Sequence, residues 1–151
     1  MEGIHRACAE FSQSLFREGF LDIQFSVLQQ LKDESDPDFV FEIVSLFFKD
    51  SEKLLADVTD ALGQSIVDFP KVSNYVHQLK GSSSSVGAYR LKNACIAFNS
   101  YCEEKNVQAC IGWMQKLKQE YFLLKTKLET LFRVSIRWLL SPQNFIHLSL
   151  K

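Results

Sequence analysis

Apolar residues recur at spacings of three and four along almost the whole chain, with polar residues between them. This is the period of an α-helix with one buried face, whereas strands would show apolar and polar residues in alternation. Breaks are few, because the 151 residues include only three prolines and six glycines. The pattern predicts six helices, at about residues 4–17, 21–32, 37–62, 70–87, 89–104 and 107–132.

Prolines and glycines mark several helix boundaries. Pro37 and Pro70 suit the first turn of a helix, where the missing N–H is not needed. Gly63 is expected to be the C-cap of the third helix. The last helix should end by Ser141, since Pro142 follows it.

Short turns join the last four predicted helices, so consecutive helices should be antiparallel neighbours. The fold class is therefore predicted to be all-α, an up-down antiparallel four-helix bundle with two additional N-terminal helices packed on it. In domain terms, residues 1–133 form one domain, with the N-terminal helices in 1–34 and the bundle in 37–133. The second helix should dock through an apolar face that consists of Ile23, Val27, Leu28 and Leu31.

Composition excludes several classes of function. Lys plus Arg number 17 against 18 Asp plus Glu, so the basic excess typical of nucleic-acid binding is absent. No apolar run approaches the roughly 20 residues that span a bilayer. The four cysteines form no CxxC pair and no His cluster completes a zinc site, so we expect no metal site and reduced thiols in a cytosolic protein. The N-terminus lacks the apolar core of a signal peptide.

One stretch, NYVHQLKGSSSSVGAYRLKN at residues 74–93, carries the candidate chemistry. On a helical wheel, His77 lies about 150° from the centre of the apolar stripe and should face solvent. The stripe consists of Val72, Tyr75, Val76, Leu79 and Val86. The residues that share the histidine's face are Ser73, Asn74, Lys80, Gly81 and Ser84.

This polar face is costly for a helix. A glycine in a helix interior costs about 1 kcal/mol relative to alanine, and interior serines cost somewhat less. A natural reason for Gly81 is the close approach of another molecule. An exposed imidazole is a nucleophile, and a phosphoryl group on its ring would lie one turn from Lys80. The alternative is that His77 and Lys80 are ordinary solvated surface residues without a functional role.

The sequence HQLKGSSSSVGA at residues 77–88 resembles the signature of histidine-containing phosphotransfer (HPt) proteins, in particular those of plants. The resemblance continues through LFREGFLDIQFSVLQQLKDESDPDFVFEIVSLFFKDSEKLL, CEEKN and QEYFLLKTKLETLF, and covers roughly residues 4–133. It implies a phosphorelay carrier in cytokinin-type signalling that shuttles between cytoplasm and nucleus.

In this family the phosphoryl group travels between aspartates of receiver domains. The resemblance implies that His77 accepts it from a hybrid sensor kinase and passes it to a response regulator, with Lys80 and Gly81 in supporting positions. It also implies no kinase activity, no cofactor of its own, and Mg²⁺ held by the receiver domain. Some plant relatives lack the histidine and act as inhibitors, whereas this chain retains it.

The chain departs from the family in two places. Asn99 occupies a position at which relatives often have a longer Arg or Gln near the imidazole. Because its amide is shorter, it should reach the imidazole less well. The tail at 134–151, VSIRWLLSPQNFIHLSLK, is apolar where relatives continue a polar helix. It can pack on the domain or promote association, although a monomer is expected.

Three further expectations complete the interpretation. Ser73, Asn74 and Phe25 are predicted to contact the receiver domain, Phe25 as an apolar residue of the second helix left over from packing. The first alternative function is a helical adaptor that binds receiver domains without transfer. The second is an enzyme with His77 as acid or base, although the sequence suggests no second catalytic group.

Overall fold

The computed structural model describes residues 2–31 and 38–139, and most of them are helical. No strand occurs in these ranges, in agreement with the all-α prediction. The expected helix start at Pro37 and the end by Ser141 lie outside the described residues. The helices are α1 (Glu2–Arg17), α2 (Ile23–Gln30), α3 (Phe39–Leu62), α4 (Phe69–Val86), α5 (Tyr89–Glu103) and α6 (Val107–Leu139).

The last four helices form the predicted bundle. α4 packs between α3 and α5, α5 packs against α6, and α6 returns to α3, which closes the arrangement. The connections are short, so consecutive helices run antiparallel. α6 extends seven residues beyond the predicted end at 132, because no helix-breaking residue occurs before Pro142.

Local signals in the sequence define α4. Asp68 is its N-cap and accepts a 3.2 Å hydrogen bond from the backbone N–H of Lys71, while Pro70 lies in the first turn. Gly87 ends the helix in the left-handed conformation, with φ of 80°. The bounds of α4 therefore follow the residues that predicted them.

The two N-terminal helices pack on the bundle, as predicted: α1 lies along α6 and α2 lies against α4. Their buried residues belong to the same hydrophobic core as the bundle itself. Those from the N-terminal segment are Leu15, Phe20, Leu21, Phe25 and Leu28.

The predicted orientation of α2 is wrong in part. Phe25, expected on the receiver-docking surface, is only 1% exposed, and it packs with Leu28 in the core. The apolar residues that face solvent are instead Ile23, Val27 and Leu31, which are 69%, 41% and 63% exposed. Periodicity alone favoured the set of Ile23, Val27, Leu28 and Leu31 as the packed face, but α2 has only eight residues, and Phe25 packs beside Gly87 at the end of α4.

A charged cluster fixes the connection between α1 and α2. Two cations lie over the ring of Phe20, with the Arg90 guanidinium carbon at 4.2 Å and the Lys127 ammonium nitrogen at 5.0 Å from its centroid. Arg90 also forms a 2.7 Å ion pair with Glu120, whose side chain is buried. The cluster therefore joins the N-terminal segment to α5 and α6.

Candidate functional site

The orientation of α4 places His77 in solvent. One side of this helix is buried, through Val72, Val76, Leu79, Ser83 and Val86. His77 lies on the opposite side and is exposed, as the helical wheel predicted. Among the described residues, no ion pair joins its imidazole to a carboxylate. The ring is thus accessible, and no triad of the hydrolase type surrounds it.

The residues predicted to share this face do so. Asn74 and Gly81 are exposed, whereas Ser73, Lys80 and Ser84 are half-buried along one flank of the helix. Lys80 lies one turn beyond His77 in the sequence, so its ammonium group can reach an anion on the ring. The structure therefore places one nucleophile and one cation on the same face of α4.

No contact among the described residues requires a glycine at position 81. A Cβ added there would meet no atom within 4 Å, so the space above the backbone is open. Two neighbouring hydroxyls bond to their own helix: Ser82 Oγ donates to the Leu79 carbonyl at 3.1 Å, and Ser85 Oγ donates to the Gly81 carbonyl at 3.1 Å. Glycine lowers the stability of the helix relative to alanine, and no described contact compensates for this loss. The glycine is therefore suited to close approach by another molecule.

The positive charge of Lys80 acts on a residue of α5. Burial raises the pKa of the Cys95 thiol on that helix to about 12, and the nearby positive charge of Lys80 opposes the shift. No periodic pattern relates Cys95 to the site, because the charge of Lys80 acts on it from a different helix.

Asn99 is half-buried on α5, and its Oδ1 atom is buried without a hydrogen-bond partner among the described residues. The structure does not join this amide to His77 through a hydrogen bond. Its supporting role therefore stays a prediction, in line with the shorter reach expected for asparagine.

The described residues supply no alternative centre for metal chemistry. They hold no group of three or more His, Cys, Asp or Glu side chains that could bind a metal ion. No helix within the same residues is both long and apolar enough to cross a membrane.

Two grooves of about 370 and 300 Å³ lie between α3 and α6. The larger is lined in part by Glu52, Leu55 and Tyr121, and the smaller in part by Phe41 and Phe132. His77 lines neither of them, so neither groove supports an enzyme with His77 as its acid or base.

Comparison with known proteins agrees with this geometry. Residues 42–132 match the Hpt domain family. The chain is 56% identical over 129 residues to histidine-containing phosphotransfer protein 1 of Arabidopsis thaliana, covering 85% of this chain and 84% of that protein. It is 43% identical over 131 residues to pseudo histidine-containing phosphotransfer protein 2 of rice, covering 87% of each. A crystal structure of a Medicago truncatula histidine-containing phosphotransfer protein superposes with a TM-score of 0.86 at 45% identity, covering 91% of this chain and 93% of that chain.

Proposed function

The chain belongs to the histidine-containing phosphotransfer family, the phosphorelay carriers of plant two-component signalling, and we propose that His77 is the residue on which it carries the phosphoryl group. The observation that supports this assignment is the exposed imidazole on a helix whose opposite face is core. The open space above Gly81 lies one turn away on the same surface.

The proposed chemistry is reversible group transfer. A lone pair on a ring nitrogen of His77 attacks the phosphorus of an aspartyl phosphate on a receiver domain, and the aspartate carboxylate leaves. The reverse step delivers the phosphoryl group to the aspartate of a second receiver domain. This chain supplies the nucleophile and, through Lys80, a positive charge near the transferred group. The Mg²⁺ ion and the remaining catalytic groups belong to the receiver, so we propose no kinase activity here.

We infer that α2 contributes the apolar part of the docking surface. Ile23, Val27 and Leu31 recur at i, i+4 and i+8, and all three are exposed. α2 packs against α4, the helix that carries His77. An apolar patch beside a polar reaction site is common interface anatomy. These three residues replace Phe25 in the proposed contact, together with Ser73 and Asn74 on α4.

We also propose a signalling pathway, a cellular location and an oligomeric state. The relay serves cytokinin-type signalling, the protein distributes between cytoplasm and nucleus, and it acts as a monomer. Imaging a fluorescent fusion in plant cells tests the distribution, and light scattering after size-exclusion chromatography tests the monomer.

Relay reconstitution tests the proposed function. A ³²P-labelled receiver domain of a plant hybrid kinase is mixed with the protein and Mg²⁺, and a response-regulator receiver is added after a fixed interval. The proposal predicts label on this protein first and on the response regulator afterwards. An adaptor would bind both receivers, as measured by calorimetry, without acquiring label, and that result would replace the carrier assignment.

A further inference from the structure

The sulfur atoms of Cys102 and Cys110 lie 3.8 Å apart, in mutual contact. Cys102 is near the end of α5, Cys110 is in the first turns of α6, and both side chains are buried. Both are free thiols in the structure. The phosphotransfer chemistry uses neither of them.

The turn between α5 and α6 holds the two cysteines in place. Lys105 adopts a left-handed conformation with φ of 55°, and Asn106 Oδ1 caps α6 by accepting a 3.0 Å hydrogen bond from the Ala109 N–H. Beside the turn, the rings of Tyr101 and Trp113 stack with centroids 5.9 Å apart. The pair is therefore positioned by a structured hairpin, and the sulfurs would need to approach by only about 1.8 Å to reach bonding distance.

We propose that Cys102 and Cys110 are a redox modification site, at which hydrogen peroxide converts the two thiols into an intramolecular disulfide that links α5 to α6. In the first step one thiol loses its proton and the thiolate attacks a peroxide oxygen; the O–O bond breaks, and the hydroxide that leaves takes up a proton, which gives a sulfenic acid and water. In the second step the other thiol attacks that sulfenic sulfur, which forms the S–S bond and releases a second water. The two sulfurs are oxidised, the peroxide is reduced, and the two thiol protons leave in the water.

The surroundings set the rate and the selectivity of this reaction. Burial raises the pKa of both thiols, that of Cys102 to about 12, so the reaction is slow at neutral pH and becomes faster as pH rises. Once one sulfur is oxidised, its neighbour intercepts the sulfenic acid before further oxidation. Among the described residues, a contact between two thiols is formed by Cys102 and Cys110 alone: Cys95 is buried without such a contact, and Cys8 contacts Ser135 Oγ at 3.4 Å.

The disulfide would restrain the helix that lies behind the phosphorylation site. α5 carries Asn99 one turn before Cys102, and it carries Cys95 beside Lys80. Closing a loop of this length in the unfolded chain is expected to raise the Tm by about 5 °C.

Peptide mapping of the peroxide-treated, folded protein tests the proposal. Trypsin cleaves after Lys105, so Cys102 falls in residues 93–105 and Cys110 in residues 106–116. The expected product is a linked pair of these peptides, two hydrogens lighter than their sum and separated by reductant. Because residues 93–105 also contain Cys95, fragmentation spectra must assign the link to Cys102.

Two variants complete the test. Cys102→Ser should abolish the link, whereas Cys8→Ser should retain both the link and the rise in Tm. Cys110→Ser replaces Cys102→Ser if the latter fails to fold. The peptide map of the unsubstituted protein tests the proposal even if neither variant folds. The proposal would be overturned if Cys102 and Cys110 remained free thiols under conditions that oxidise Cys8. A disulfide through Cys95 would overturn it as well.

Discussion

The backbone N–H of Asp22 donates a 2.9 Å hydrogen bond to the carbonyl oxygen of Gly87. This bond joins the start of α2 to the end of the helix that carries His77. Gly87 has a φ of 80°, and a Cβ at this position would collide with the backbone nitrogen of Phe25 and lie 2.8 Å from Asp22 Oδ1. One glycine thus ends α4 and allows the N-terminal helices to approach the bundle.

Substitution of this glycine is expected to be severe. Gly87→Ala places a side chain in a left-handed conformation and against the backbone of Phe25, so we expect a loss of more than about 2 kcal/mol in the free energy of unfolding. Urea denaturation followed by circular dichroism measures it. An unchanged urea midpoint would contradict this expectation and would show that α2 can shift away from the new side chain without a loss of stability.

Gly81 is the matched control for Gly87, because alanine at position 81 is expected to stabilise the fold. Because a Cβ there meets no atom within 4 Å, Gly81→Ala should stabilise the protein by up to about 1 kcal/mol. A larger residue, as in Gly81→Gln, should instead slow phosphotransfer at least tenfold by obstructing the receiver domain. Equal transfer rates for the Gln variant and the unsubstituted protein would contradict the role given to the open surface.

Substitutions in α2 allow the effect on receiver binding to be measured separately from the effect on protein stability. Val27→Asp changes an exposed residue, so we expect weaker receiver binding with an unfolding free energy within about 0.5 kcal/mol of the original. Phe25→Ala changes a buried residue and should cost about 3–5 kcal/mol of stability. Calorimetric titration with a receiver domain and thermal unfolding supply the two readouts. Undiminished binding by Val27→Asp would remove α2 from the interface.

A hydrogen bond between α3 and α6 predicts a dependence of stability on pH. Tyr121 OH donates to Glu52 Oε2 at 2.6 Å, and this bond is the largest cause that lowers the pKa of Glu52. A lowered carboxyl pKa stabilises the fold above the unfolded value of 4.5, and that contribution disappears as pH falls through the folded value.

Tyr121→Phe should therefore cost about 1 kcal/mol at pH 7, with the difference from the unsubstituted protein shrinking below about pH 4.5. Tyr101→Phe is the control, since its ring stacks on Trp113 and stands apart from Glu52. Urea titrations at a series of pH values provide the comparison. A pH-independent difference for Tyr121→Phe would contradict the link to Glu52.

The bundle and the exposure of His77 were predictable from the sequence because both depend on local periodicity. The apolar spacing of α4 alone determines which side of the helix is buried, so the orientation of His77 follows. In α6 the three- and four-residue apolar spacing likewise predicts a buried side that consists of Cys110, Ile111, Met114, Leu117, Tyr121, Leu124, Leu128 and Leu131. All of these are buried except Ile111, which is 42% exposed.

What the sequence did not predict depends on contacts between distant segments. The burial of Phe25 requires the approach of α2 to Gly87, and two apolar faces compete on so short a helix. Similarly, the position of Lys80 near Cys95 and the contact between Cys102 and Cys110 join neighbouring helices. No periodic pattern encodes such pairs, which only the packing of the helices brings together.

The most direct test of the central claim is phosphotransfer from a ³²P-labelled receiver domain to the unsubstituted protein and to His77→Gln in parallel, with Mg²⁺ present. Because His77 is exposed, the Gln variant should fold normally and retain receiver binding. We expect acid-labile label on the unsubstituted protein and none on the variant. Equal label on both proteins would show that another residue carries the phosphoryl group, and no label on either folded protein would contradict the carrier itself.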